Sequence, residues 1–327
     1  MGKPNQLLLT IGNIRKNVYG PGKKWECIVD GCSEQAIISH LLQRNGILDL
    51  VAEDGHMILV QVSDSFHWGK GIVPIEFKKM GIKGSLSIPL FCDKHDAELF
   101  SEIEKSGVDN TGIPLDPNNY RHQILLSLRT MYAEKRRKQQ AVELNKRMSV
   151  AHTLPYNFQI ESKRQLRLQL IGIRDLDVYI KDLESELVDT KGLFDFKVYE
   201  YEEMKVCSTA GLSVCDDAEK TADMNYVLPT AFFHAFPLNG VFYIVIGYHK
   251  EHRTEEVDSF VDSWSGLSKA NLQKELTKLF IQRVETWGMS PSLFETISEN
   301  KTEQFKKHQL EAMKSMPMPE IDFNLFE

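Results

Sequence analysis

Cys27 and Cys32 are separated by four residues that include Gly31, in "WECIVDGCSEQ", and Cys92 and His95 by two, in "LFCDKHDAELF". Thiolates and neutral imidazoles are the ligands zinc prefers, and two thiolates carried on a tight turn make a zinc knuckle. The second pair falls where an apolar run gives way to a helical pattern, which would place both groups at the start of a helix. Four such ligands close a tetrahedron, as a structural zinc site requires. A buried thiol beside a helix start is the plainer reading of either pair alone. The 59 residues between Cys32 and Cys92 must be bridged by inserted strands.

Two more residues lie in register with these pairs. His40 ends the apolar run "AIISH", and Asp96 directly follows His95. A neutral imidazole can take a proton from water near pH 7, and a carboxylate suits Mg²⁺ or Mn²⁺ beside a phosphate. Knuckle, strands and a helix that supplies the last two ligands form the order of a treble clef. That order, with His40 and Asp96 in place, resembles the HNH endonucleases that carry a structural zinc, over about residues 25–105. The resemblance implies a ββα-metal unit within a treble clef. It implies zinc on Cys27, Cys32, Cys92 and His95, His40 as the general base that activates water, and Asp96 as a ligand of a catalytic Mg²⁺ or Mn²⁺. It also implies cleavage of nucleic-acid phosphodiesters, in the setting of a bacterial defence effector.

The chain departs from the family pattern in three places. Ser39 stands where many such nucleases carry Asp or His, Asp96 replaces the more usual His, and "KGSLSIPLF" offers no Asn before Cys92. His40 therefore keeps two other readings, a zinc ligand in place of His95 and a structural histidine at a strand end. The alternative for the whole chain is a non-catalytic, zinc-stabilised adaptor that binds nucleic acid or protein.

Composition sets the outer bounds. The chain has 327 residues, 42% of them apolar, which suits two or three compact units rather than a disordered chain. Its five cysteines include Cys207 and Cys215, which have no ligand-like neighbours and read as ordinary buried thiols. An odd count with no secretory signal reads as reduced thiols in a cytoplasmic protein. No apolar run approaches the roughly 18 residues of a membrane span. His56 and His67 read as loop or strand residues, and Asp54-Gly55 as a turn.

The net charge of −7 hides a strong polarisation. Between Glu134 and Arg174 ten basic residues face three acidic ones, a local charge of +7. Lys135, Arg136, Arg137 and Lys138 form its first cluster, and Lys163, Arg164 and Arg167 its second. Such a segment can steer a polyanion to one face, or be an ordinary solvated helix surface. These seven residues are the candidate nucleic-acid contacts.

The elements that must position these groups are legible as periods. Short strands fit "AIISHLL", "HMILVQVS" and "SLSIPLF", and a helix fits "KHDAELFSEIEKSG". Long helical patterns run from about Tyr120 to Ser149 and from about Glu161 to Val188, suggesting a hairpin or coiled arm that could also join two copies of the chain. Beyond residue 193 the period changes to that of strands, with Asn239-Gly240 as a hairpin turn. A strong amphipathic helix follows Ser268, and another helical stretch covers about residues 290–314. The expected class is α+β and multidomain. Its parts are a zinc-binding HNH-like unit (1–115), a helical hairpin with a basic face (116–190), an α+β unit (191–315) and a flexible tail or docking peptide (316–327).

Overall fold

The computed structural model describes residues 6–20, 22–63, 73–104, 115–215, 226–314 and 318–327. It is mixed α and β, with a long helical pair and a seven-stranded sheet. The chain opens with a helix, α1 (Gln6–Tyr19), where the sequence offered only a four-residue apolar burst. Its Ile11 and Val18 are buried, seven positions apart and so on one face of the helix.

The segment holding the cysteine pairs folds as strand, strand, helix. Strand β1 (Ile38–His40) pairs antiparallel with β4 (Ser87–Pro89), setting His40 opposite Ser87. The helix α3 (Asp93–Glu104) then follows. Between β1 and β4 the chain makes a long excursion, through a short helical turn, α2 (Asp49–Val51), and a hairpin of β2 (His56–Val62) and β3 (Ile75–Gly81). Asp54-Gly55 is the turn expected of it, with Glu53 and His56 exchanging both backbone hydrogen bonds at 2.9 Å.

Two long helices follow, α4 (Tyr120–Val150) and α5 (Tyr156–Val188). The second starts ahead of the periodic run, its first turn closed on the Pro155 carbonyl by the N–H groups of Phe158 at 2.9 Å and Gln159 at 3.3 Å. Every residue of α4 from His122 to Ala133 is buried. A helix buried on all sides lies inside a molecule rather than on it, so this half of α4 is a central strut and not a projecting arm. On one side Phe91 meets Tyr132 edge-on, and Arg129 lies over Phe100 while pairing with Glu104. On the other side Thr130 and Ser127 reach the sheet.

The sheet runs in the order β3-β2-β9-β6-β7-β8-β5, every neighbouring pair antiparallel. Its remaining strands are β5 (Phe194–Glu202), β6 (Val206–Ser213), β7 (Thr230–Leu238), β8 (Val241–His249) and β9 (Trp287–Met289). The β2–β3 hairpin thus leaves the cysteine-bearing segment and extends a sheet built from residues beyond 190. The sheet crosses both boundaries drawn at residues 115 and 191. Asn239 and Gly240 make the turn between β7 and β8, both at positive φ as a two-residue hairpin demands.

Both faces of the sheet are covered, which explains the unbroken apolar run of β7. Phe232, His234 and Phe236 face the long helices, while Ala231, Phe233 and Ala235 belong to the opposite core. That second core is closed by α6 (Glu255–Asp262), α7 (Lys269–Gln282), α8 (Pro291–Glu295) and α9 (Glu299–Ala312). The helical stretch expected over 290–314 is two helices, because Ser290 and Ser298 each cap a new start. The closing segment does not behave as a flexible tail. Ile321, Leu325 and Phe326 are buried in the second core, and the Leu325 N–H donates to Thr277 Oγ1 at 3.1 Å. No helix among the described residues is long and apolar enough to cross a membrane.

Candidate metal centre

The knuckle forms because the backbone closes on itself around Gly31. The Cys27 N–H donates to Glu34 O at 2.7 Å, and Ala36 N–H to Trp25 O at 2.8 Å. Within that loop Cys32 N–H donates to Val29 O at 3.1 Å, with Gly31 at a φ of +78° that glycine adopts freely. The loop is tied to the ββα segment by Ile28 N–H to Leu90 O at 2.9 Å and Ile37 N–H to Phe91 O at 2.7 Å. Those bonds bring the knuckle to the start of α3, where Cys92 precedes the helix and His95 lies in its first turn.

The four side chains converge as the spacing predicts. Cys27 Sγ and Cys92 Sγ each lie 3.3 Å from His95 Nδ1, and Cys32 Sγ lies 3.9 Å from Cys92 Sγ. All four ligand atoms fall within 4.8 Å of one another. A tetrahedral zinc with ordinary bond lengths sets its sulfurs about 3.8 Å apart and its sulfur–nitrogen pairs about 3.6 Å apart. The donor set therefore fits a tetrahedral ion such as zinc. All five cysteines are free of disulfides.

The thiols sit in unlike surroundings. Burial pushes the Cys27 thiol up, while the His95 backbone N–H at the helix start holds the Cys92 thiol below its ordinary value. Three thiolates around a dication leave one net negative charge. Arg136, which is buried on α4, donates to Glu26 O at 2.5 Å and lies over Trp25, interacts favourably with the Cys27 charge. Burial lowers the Arg136 pKa to about 10, against the pull of the Cys27 and Glu26 charges. Lys135 beside it bridges Asp177 at 2.8 Å and Asp30 at 3.9 Å.

His40 and Asp96 lie apart from that cluster, which is the one group of three or more potential ligands among the described residues. His40 is half-buried at the end of β1, and its Nε2 lies 3.0 Å from the Ile82 carbonyl. That carbonyl can only accept, so Nε2 carries a hydrogen, and in a neutral ring Nδ1 is then the acceptor. Asp96 is half-buried in the first turn of α3, with Oδ1 enclosed and without a hydrogen-bond partner. Ser39 Oγ is likewise enclosed and unpartnered.

The basic residues separate into two sets. Lys135 and Arg136 point inward as described, and Arg137 pairs with Glu134 at 2.7 Å. Lys138 is half-buried, its stem against Gly172 of α5. Lys163, Arg164 and Arg167 are exposed on α5, with Arg164 held to Glu161 at 3.1 Å. Cys207 and Cys215 are buried, and burial pushes the Cys207 thiol up. His56 turns back onto the Asp54 carbonyl at 2.7 Å, and His67 lies outside the described residues. The residues that sequence reasoning missed are Trp25 and Arg136 in their structural role. The available signal was an aromatic residue two positions ahead of the first ligand.

Comparison with protein-family models, with curated proteins and with solved structures gave no match for this chain.

Proposed function

We propose that the chain is a metal-dependent, HNH-like nuclease whose Cys27, Cys32, Cys92 and His95 hold a structural zinc in a treble clef. The observation that carries this reading is His40 at the end of β1, its Nε2 hydrogen fixed by the Ile82 carbonyl. With Nδ1 left as the basic nitrogen, His40 takes a proton from a water molecule. The water oxygen then forms a bond to phosphorus as the bond to the leaving sugar oxygen breaks, and that oxygen takes a proton from solvent water. On this reading Asp96, which directly follows His95, would hold Mg²⁺ or Mn²⁺. That ion, when bound, supplies charge to stabilise the transition state. The exposed Lys163, Arg164 and Arg167 offer phosphate contacts on α5.

A second reading, the non-catalytic adaptor, draws on two observations. His40 and Asp96 belong to no three-ligand group among the described residues. Lys135, Arg136 and Arg137 also have acidic or aromatic partners within the chain. The discriminating experiment is cleavage of plasmid DNA and of single-stranded RNA with Mg²⁺ and with Mn²⁺, for wild type, His40→Ala and Asp96→Asn. Zinc content is measured on each preparation. Cleavage that drops by about 10²–10⁴-fold in His40→Ala with zinc retained supports the nuclease. Absence of cleavage with every substrate and metal favours the adaptor. Zinc lost from His40→Ala would make His40 a ligand.

A further inference from the structure

The outward face of α5, near the tip of the helical pair, carries a pattern that the metal centre does not use. Tyr156, Ile160, Lys163, Arg167 and Leu170 follow one another at steps of four, three, four and three residues. Such steps set side chains in one row along a helix. All five are exposed, the apolar ones at 73% for Tyr156, 48% for Ile160 and 51% for Leu170. A single exposed apolar residue is ordinary, but three in one row mark a surface that a partner covers.

The charges in the row say what kind of partner. Among the described residues Lys163 and Arg167 have no ion pair, and the row itself holds no acid. Beside it Arg164 is held by Glu161 at 3.1 Å, with both side chains exposed. One turn beyond Leu170, Arg174 turns instead to Asp175 and to the Tyr226 carbonyl, so the free cations stop there. A second copy of the chain laid along this row would set cations against cations. The partner is therefore an anion that also offers apolar surface. A bilayer is met by helices whose apolar and cationic residues lie on separate faces, whereas here they alternate along one. A duplex keeps its bases stacked inside and leaves Tyr156 and Ile160 little to touch. A single strand offers phosphates and free base faces together along its length.

We propose that this row binds single-stranded nucleic acid, a base stacking on Tyr156 and phosphates meeting Lys163 and Arg167. Those two cations stand about 6 Å apart along the helix axis, one turn from each other, so each can meet its own phosphate. DNA and RNA strands present the same two features. The proposal extends the reading of these cations as phosphate contacts, and it holds whether the chain cuts nucleic acid or only binds it.

The test is fluorescence anisotropy on the zinc-loaded full chain, without added Mg²⁺ or Mn²⁺. The probes are a labelled mixed-sequence dodecanucleotide as single-stranded DNA, as single-stranded RNA and as duplex DNA. Vesicles of phosphatidylcholine and phosphatidylserine are tested in parallel by co-sedimentation. The expected result is saturable binding of at least one single strand, at least tenfold tighter than the duplex. Tyr156→Ala should weaken it about tenfold and leave its salt dependence unchanged, because stacking releases no counterion. The double variant Lys163→Gln/Arg167→Gln should weaken it tenfold or more. It should also make the slope of log affinity against log salt shallower by about 1.4, the loss of two phosphate contacts on a single strand. All three side chains are exposed, so both variants should melt with wild type. No saturable binding of either strand, duplex bound as tightly, or strand binding unchanged in either variant would overturn the proposal. Vesicle binding without strand binding would overturn it too, and would assign the row to an anionic lipid surface. Because no Mg²⁺ or Mn²⁺ is added, the outcome is separate from whether His40 supports cleavage.

Discussion

Arg136 lies across Trp25, its guanidinium carbon 5.0 Å from the ring centroid, and so fastens the central helix to the knuckle. Lys23 approaches the same ring at 4.9 Å. Residue 25 is two positions from Cys27, and Arg136 also bonds the carbonyl of Glu26 between them. Arg136 therefore braces from behind the loop that carries Cys27. A planar guanidinium suits both the ring face and the carbonyl, and a lysine would serve only as a point charge.

Arg136→Ala should accordingly weaken metal affinity by about 10–100-fold, the usual effect of removing a group that orients metal ligands. Arg136→Lys should recover only part of it. Competition against a chromogenic zinc chelator measures both. Unchanged affinity in Arg136→Ala would mean that the contact with Trp25 holds the helix and does nothing for the metal.

Removal of a ligand should cost both metal and stability. Cys92→Ser is expected to lower bound zinc from one ion per chain and to depress the melting temperature by on the order of 10 °C, reflecting a few kcal/mol in a chain of this size. Cys27, Cys92, Tyr132 and Phe232 belong to one continuous core, so the loss should spread beyond the knuckle. Elemental analysis paired with a thermal melt reads both effects. Full zinc content in Cys92→Ser would remove Cys92 from the ligand set.

His234 gives the fold a pH dependence of known sign. Its Nδ1 lies 2.8 Å from Thr209 Oγ1 and its Nε2 3.2 Å from Ser127 Oγ, between β7, β6 and α4. Burial lowers its pKa to about 3, from 6.5 in the unfolded chain. Below pH 6.5 the unfolded chain takes up a proton that the native state refuses. His234 therefore subtracts stability as pH falls from 6.5 toward 3, by roughly 1.4 kcal/mol per pH unit. Urea midpoints from pH 7.5 to 4.5 should fall more steeply for wild type than for His234→Gln. Parallel curves would show that the imidazole is not held neutral.

The closing segment should be a working part of the core. Leu325 is fully buried, so Leu325→Ala is expected to destabilise by about 2–5 kcal/mol through lost burial and the cavity left behind. Deleting residues 319–327 should cost more, since Ile321 and Phe326 leave with it. Chemical denaturation with two probes, tryptophan fluorescence and circular dichroism, would record this. A variant as stable as wild type would return the segment to the status of a tail.

The sequence by itself determined what depends on near neighbours along the chain. Ligand spacing around a glycine, a histidine in the first helical turn, the serine cap of α7 and the Asn239-Gly240 turn are local geometry, and each is where its residues said it would be. Helical and strand periods also placed many of the elements, although α1, β3, β9 and α6 went unread. Tertiary structure alone decided which surfaces those elements hide. The charges of Lys135 and Arg136 look solvated in a periodic pattern, yet Asp177 and Trp25 come to them from other parts of the chain. Strand β2 reads in the sequence as one of several short strands, but its partner β3 went unread, and β9, from the far end of the chain, pairs with its other edge through Ile58 and Leu59. The seating of Ile321, Leu325 and Phe326 likewise required a hydrophobic surface assembled from distant helices. Spacing specifies which atoms can meet within a turn, and only the packed chain specifies what covers them, because burial depends on every other segment at once.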